Sequence, residues 1–235
     1  MPNLKATLIT TIVLAQVAAV LANTKILTGG TIIAYDESIK LPKIIRNGAL
    51  VIKDDRVYEI LDKVPSNGSF SPGTEVIDCK NKIISPGFID THRHGWQTVF
   101  KTLGSNTTLS DYAYRYGSPV AQPLFSPRDL YISQKVGIFE ALNAGTTTIL
   151  DHAHHTWTRE HSEAGYNASI DSGARVYFAY TFQNVTGFSI QDQLVQWREL
   201  DAKKSSNLTS LVMAYDSPPR SEYEKDTQDV IKLAK

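Results

Sequence analysis

From Pro86 onward the chain alternates apolar, β-branched runs with helical periods, and this alternation limits the possible folds more than any other feature. KIISPGFID leads into two histidines one residue apart. SPRDLYISQKVGIFEALNAG then reads as a helix, and TTTILDHAHH as a strand. In the helix Ser126 is the cap, Pro127 occupies the first turn and Asp129 completes an S-x-x-D box. Ile132, Val136, Phe139 and Leu142 form one apolar stripe, and Gly145 suits the stop. TTTILDHAHH carries β-branched residues on both faces, the pattern of a parallel strand buried on both sides. The alternation then repeats. A helix over residues 162–173 precedes RVYFAYTF. A helix from Ser189, with Ile190, Leu194 and Trp197 on one face, precedes LTSLVMAY. Ser221 and Glu224 form a capping box that opens a last helix. Four strands, each followed by a helix, predict βαβ units and a parallel sheet.

A closed (β/α)8 barrel takes roughly 250 residues by itself. Too few follow Pro86 for eight units, so the expected fold is α/β: an incomplete TIM (β/α)8 barrel of about four βα units over residues 86–235. Residues 23–85 read differently. TKILTGGTIIA, GALVIKDDRVYEI and TEVIDCKNKIIS are short runs rich in Ile, Val and Thr, punctuated by Gly, Pro, Asn and Asp. They predict a small β-sandwich portion ahead of the barrel.

Residues 1–22 are expected to lie outside the fold. No charge occurs from Ala6 to Ala22, and Val20 and Ala22 suit a signal-peptidase cut after Ala22. A membrane anchor is the alternative, but a spanning helix needs roughly 20 apolar residues and this run is interrupted by Gln16 and threonines. The expected address is therefore secreted, with no membrane partner after cleavage. Asn67, Asn106, Asn167, Asn184 and Asn207 each head an N-x-S/T triplet, the glycosylation acceptor of secreted proteins. Cys79 is the single cysteine, so no internal disulfide forms and it reads as a small buried hydrophobe. The formal net charge of +0 offers no basic patch for nucleic acid.

The chemistry concentrates in PGFIDTHRHGWQT. Residues i and i+2 of a strand share a face, so His92 and His94 project together with Arg93 opposite. In a barrel that face looks inward at the C-terminal rim, where barrel enzymes place their chemistry. Two neutral imidazoles placed so can share one divalent ion. The next strand ends in a second cluster, with His152 and His154 on one face and Asp151 and His155 on the other. These side chains suit substrate contact or support of the ligands, or else a polar strand end. Trp96 and Gln97 are candidates to line the pocket or to be a core Trp and a surface Gln. His161 opens a helix and is expected at the surface. The tyrosines of DYAYRY, 112–116, suit a packed aromatic helix or a lid wall. Asp216 ends the fourth strand with no assigned role.

PGFIDTHRH resembles the first barrel strand of the amidohydrolase superfamily, and ILTGGTII through VIDCKNKIISPG is similar to the sandwich half that precedes it there. DTHRHGWQT, the SPRDLY helix and AGTTTILDHAHH resemble the branch of cytosine deaminase-like, chlorohydrolase-like and S-adenosylhomocysteine deaminase-like enzymes. The resemblance implies a metal-dependent hydrolase acting on non-peptide carbon–nitrogen bonds of a small-molecule substrate. A divalent metal, zinc or iron, would activate a water for attack on an sp2 carbon. His92 and His94 match the family's first two ligands. The family's later histidines, its aspartate and its acid–base residue match nothing here, so catalytic residues are expected beyond Lys235 and this chain alone is expected to be inactive. A non-catalytic short relic that binds a metal or small molecule is the alternative. A homo-oligomer that hides the open sheet edge also fits.

Overall fold

The computed structural model describes residues 24–66, 70–203, 206–216 and 224–235. The proposed signal segment, Asn67 and Ser221 lie outside these residues. The chain divides into two compact units, Met1–Pro86 and Gly87–Lys235.

The first unit contains two small sheets. One has the order β5-β4-β1-β6, built from β1 (Thr24–Thr28), β4 (Ala49–Lys53), β5 (Arg56–Leu61) and β6 (Glu75–Asp78). The other has the order β3-β2-β7, from β2 (Thr31–Asp36), β3 (Leu41–Arg46) and β7 (Ile83–Ile84). Alternation puts Ile26, Ala49 and Val51 into a common core with Leu61 and Phe70 against it. Cys79 is buried in this unit as a free thiol, as a small hydrophobe should be. Strand β3 was not legible in sequence, because only Ile45 of its six residues is buried and no alternation shows.

The second unit is an α/β layer structure. Its sheet is parallel with the order β11-β10-β9-β8, from β8 (Phe88–Arg93), β9 (Thr146–Ala153), β10 (Arg175–Phe182) and β11 (Thr209–Tyr215). Neighbouring strands are consecutive in the chain and parallel, as successive βα units predict. The crossovers are α3 (Pro127–Asn143), α4 (Arg159–Asp171) and α5 (Ile190–Lys203), and α6 (Glu224–Ala234) follows β11. Between β8 and α3 lie a 3-10 segment (Gly95–Phe100), α1 (Leu109–Tyr116) and the short α2 (Ser118–Ala121). The core sits between sheet and helices, where Ile149, Val176, Phe178, Tyr180 and Phe182 meet Ile138, Tyr166, Leu194 and Leu200.

Helix α3 begins where the capping signals place it. Ser126 Oγ accepts from the Asp129 amide, and Asp129 accepts from the Ser126 amide. Its buried face differs from the expected stripe. Ile132, Val136, Phe139 and Leu142 are all substantially exposed, whereas Leu130, Gln134, Gly137, Ile138 and Ala141 are buried. The buried face meets the sheet core through Ile138 and Ala141 and the Trp96 cluster through Leu130, and it carries Gly137 where α3 comes nearest the turn after β8. Gly137 is essential to that approach, since a Cβ there would lie 2.2 Å from the Gly95 carbonyl oxygen. Among the described residues no helix is long and apolar enough to cross a membrane.

Candidate functional site

The C-terminal ends of the four parallel strands bring the polar cluster together, the place where open α/β sheets bind ligands. His92 and His94 from β8, His152 and His154 from β9, Gln183 after β10 and Asp216 after β11 line one open pocket of about 370 Å³, with Ser118 of α2. The imidazoles of His92 and His94 are 4.9 Å apart between ring centroids. His152 lies 5.3 Å from each, and His154 lies 4.2 Å from His94. Arg93 points the other way and donates to the Gly137 carbonyl on α3 at 3.0 Å.

Hydrogen bonds fix the rings of His94 and His152 and the backbone at His154. His94 Nδ1 is 2.8 Å from the backbone carbonyl of His152. A carbonyl only accepts, so Nδ1 carries the proton and Nε2 is left with its lone pair. Burial, followed by the neighbouring His152 and His92, lowers the His94 pKa and keeps the ring neutral. His152 Nε2 meets both Asp216 oxygens at 3.0 Å. That hydrogen bond raises the His152 pKa and lowers that of Asp216, and it ties β9 to the end of β11. Gln183 Nε2 donates to the His154 carbonyl and to Thr156 Oγ1, both at 2.9 Å. Burial and the adjacent His94 push the His154 pKa down to about 3, so its ring is neutral as well.

The odd residues of β9 face the helices. Asp151 is wholly buried, and burial raises its pKa to about 6 despite hydrogen bonds from the Gly95 amide and Gln134. His155 is wholly buried beside Phe178 and Gly165, and among the described residues neither ring nitrogen has a hydrogen-bond partner. Burial lowers its pKa to about 3. It therefore lies in the packing under the pocket and not on the pocket wall.

Trp96 is also wholly buried. It packs edge-on against Trp157, Phe125 and Phe100 at 5.1, 5.3 and 5.9 Å, and against His154 at 5.5 Å. It supports the pocket from below, as a core Trp. Gln97 turns away from the histidines and exchanges hydrogen bonds with Tyr112, at 2.6 and 2.8 Å, so the DYAYRY helix packs on the segment after the His pair. His161 is buried, contrary to its expected surface position, because its Nε2 donates to the Phe125 carbonyl at 2.9 Å across the entry to α3. Sequence reasoning missed Ser118 and Gln183. Gln183 had a readable signal, since it directly follows a buried parallel strand; Ser118 had none. Trp157 Nε1 donates to Ser118 Oγ and so holds α2 at the pocket edge.

The donor chemistry suits a divalent ion that prefers nitrogen: two imidazoles converge, and a backbone carbonyl fixes which nitrogen of His94 is free. The number of donors is short. Among the described residues no group of three or more His, Cys, Asp or Glu is set to hold a metal ion.

The model of the amidohydrolase family matches residues 83–234. Among curated proteins, a 5-methylthioadenosine/S-adenosylhomocysteine deaminase of Acetivibrio thermocellus is 30% identical over 129 residues, covering 54% of this chain and 30% of the relative. A 5'-deoxyadenosine deaminase of Methanobrevibacter smithii is 32% identical over 127 residues, covering 53% and 28%. Among solved structures, a guanine deaminase from C. acetobutylicum superposes with a TM-score of 0.72 at 19% identity, over 90% of this chain and 51% of its own. An adenosine deaminase from Xanthomonas campestris with bound zinc has a TM-score of 0.70 at 15% identity, over 89% and 47%. The chain thus spans about half the length of these structures, and its parallel sheet corresponds to part of their fold.

Proposed function

Because the chain belongs to the amidohydrolase family, we propose that it carries the opening half of a metal-dependent hydrolase site for carbon–nitrogen bonds outside peptides. His92 and His94 would hold the ion, zinc being favoured over iron by the zinc in the adenosine deaminase structure. An ion held there supplies Lewis acidity and an activated water. The remaining donors and the acid–base group would come from the part of the relatives' length that this chain does not span. The substrate class is a small nitrogen-rich ring bearing an amine, in line with the adenosine-type and guanine deaminases above.

The chain's own residues do four things in this reading. His94 presents Nε2 to the pocket because its Nδ1 proton is held by the His152 carbonyl. The hydrogen-bonded His152–Asp216 pair forms a polar stretch of the pocket wall for contact with the substrate. Gln183 and Ser118 add polar contacts at the mouth. Trp96, Phe125 and Trp157 exclude water from beneath. The export address and the barrel and sandwich boundaries belong to the same proposal.

The observation that carries the reading is that both rings line one pocket, 4.9 Å apart, with the His94 tautomer fixed. Zinc titration of the 235-residue chain against a chromogenic chelator tests it. Weak binding is expected, lost when His92 and His94 are both replaced by alanine, and no deaminase turnover is expected from this chain alone. Equal zinc binding by the double variant would defeat the ligand assignment.

A further inference from the structure

The turn after the histidine pair is gripped at two adjacent points by two consecutive residues of β9. The His152 carbonyl takes the His94 Nδ1 proton at 2.8 Å. One residue earlier, Asp151 Oδ1 accepts the Gly95 amide proton, also at 2.8 Å. The carboxylate is wholly buried, and its second oxygen accepts from Gln134 Nε2 of α3 at 2.6 Å. Gln134 is itself anchored on Ser169 Oγ of α4 at 3.2 Å. The turn has no spare room: a Cβ on Gly95 would lie 2.7 Å from Gln134 Oε1.

We propose that Asp151 is a positioning residue, whose buried carboxylate fixes the Gly95 amide so that His94 keeps its Nδ1–H tautomer and aims Nε2 into the pocket. The argument is geometric. After the strand ends at Arg93, the His94–Gly95 peptide is otherwise held only at its carbonyl, which accepts from the Gln97 amide at 3.1 Å, and rotation of that peptide would carry the ring away from the His152 carbonyl. An acceptor in a fixed place removes that freedom. A buried carboxylate is costly unless its oxygens are satisfied, and here both are. Ligand rings held by such supporting hydrogen bonds typically lose about 10–100-fold in metal affinity when the support is removed. The role differs from metal ligation, because Asp151 faces the helices and not the pocket.

This inference rests on the proposal that His94 is a ligand, and the test separates the two. Asp151→Leu fills similar space without accepting a proton. Asp151→Asn keeps an acceptor for Gly95, and once the Gln134 amide turns over its Oε1, which has no partner among the described residues, can accept from the new side-chain amide. Two readouts are made on the full 235-residue chain: ring nitrogen shifts of His94 by NMR without metal, and zinc affinity. The unmodified chain and Asp151→Asn should show a single Nδ1–H tautomer. Asp151→Leu should show a tautomer mixture, with zinc binding weakened about 10–100-fold. Should zinc bind to the Leu variant as to the parent, with the tautomer unchanged, the positioning role is wrong while the ligand reading stands. A single Nδ1–H tautomer in a parent that binds no zinc sinks the ligand reading and with it this inference. Should Asp151→Leu not fold, hydrogen exchange of the Gly95 amide in the parent decides. Strong protection supports the role, and exchange at the rate of an open loop overturns it.

Discussion

Replacing Gly137 by alanine sets two effects of known sign against each other. An alanine in a helix interior gains about 1 kcal/mol over glycine through backbone entropy. Against this, the new methyl would sit 2.2 Å from the Gly95 carbonyl oxygen and 2.6 Å from Thr98 Oγ1. Thr98 can turn aside, but the carbonyl belongs to a backbone held by Asp151 through the Gly95 amide. Relief therefore requires α3 to move off the turn, and overpacking of this kind costs about 1–3 kcal/mol. Since the contact is with backbone, the upper part of that range applies, and the net loss should be about 1–2 kcal/mol. For a chain of this length that corresponds to a fall of roughly 2–8 °C in Tm. Urea denaturation gives the free energy and calorimetry the midpoint. Combining the change with Thr98→Ala should recover little, because the carbonyl contact remains. A Gly137→Ala variant as stable as the parent, or more so, would refute the claim that this glycine exists for close approach.

Two further outcomes follow from the buried imidazole and the sequons. The folded-state pKa of His155 is about 3 against 6.5 unfolded, so between those values the unfolded chain binds the extra proton. Stability from this group is intact above pH 6.5 and lost as pH falls towards 3, by about 1.4 kcal/mol per pH unit. From pH 7.5 to 5.0, His155→Leu should therefore lose about 2 kcal/mol less than the parent in urea titrations; parallel losses would show that His155 is not buried and neutral. Asn106, Asn167, Asn184 and Asn207 are all exposed, so secretion from a eukaryotic host should yield chains whose mass falls on enzymatic deglycosylation. Secreted material with no such shift would count against the proposed address and its glycans.

The strand–helix alternation was legible because buried parallel strands and capped helices leave local signals: the four strands, Ser126 with Asp129, and Ile190 with Leu194 all sit where pattern placed them. The parity of β9 was legible too. His152 and His154 reach the pocket while Asp151 and His155 turn to the helices, because alternation is a property of the backbone alone. What lies opposite each face was not legible. The turn that buries Gln134 and Gly137 is distant in sequence from α3, so the apolar stripe of Ile132 and Val136 outweighed the true contact face.

The same limit explains why the candidate site was read as two histidine pairs and not as a supported structure. Ligand residues announce themselves by type and spacing, but their supports are defined by which atom meets which. A backbone carbonyl, as at His152, has no sequence signature at all. An aspartate beside a histidine, as at Asp151, is indistinguishable in sequence from one that faces the pocket. Yet the two act on one turn from one strand: the His152 carbonyl holds the His94 ring and the Asp151 carboxylate holds the Gly95 amide. In TTTILDHAHH the pocket-facing residues and the supporting ones are interleaved. Any slip of β9 by one residue would exchange the two sets at once, burying the imidazole of His152 and turning the carboxylate of Asp151 to the pocket. The register of β9 against β8 and β10 is therefore part of the site, as much as the histidines themselves.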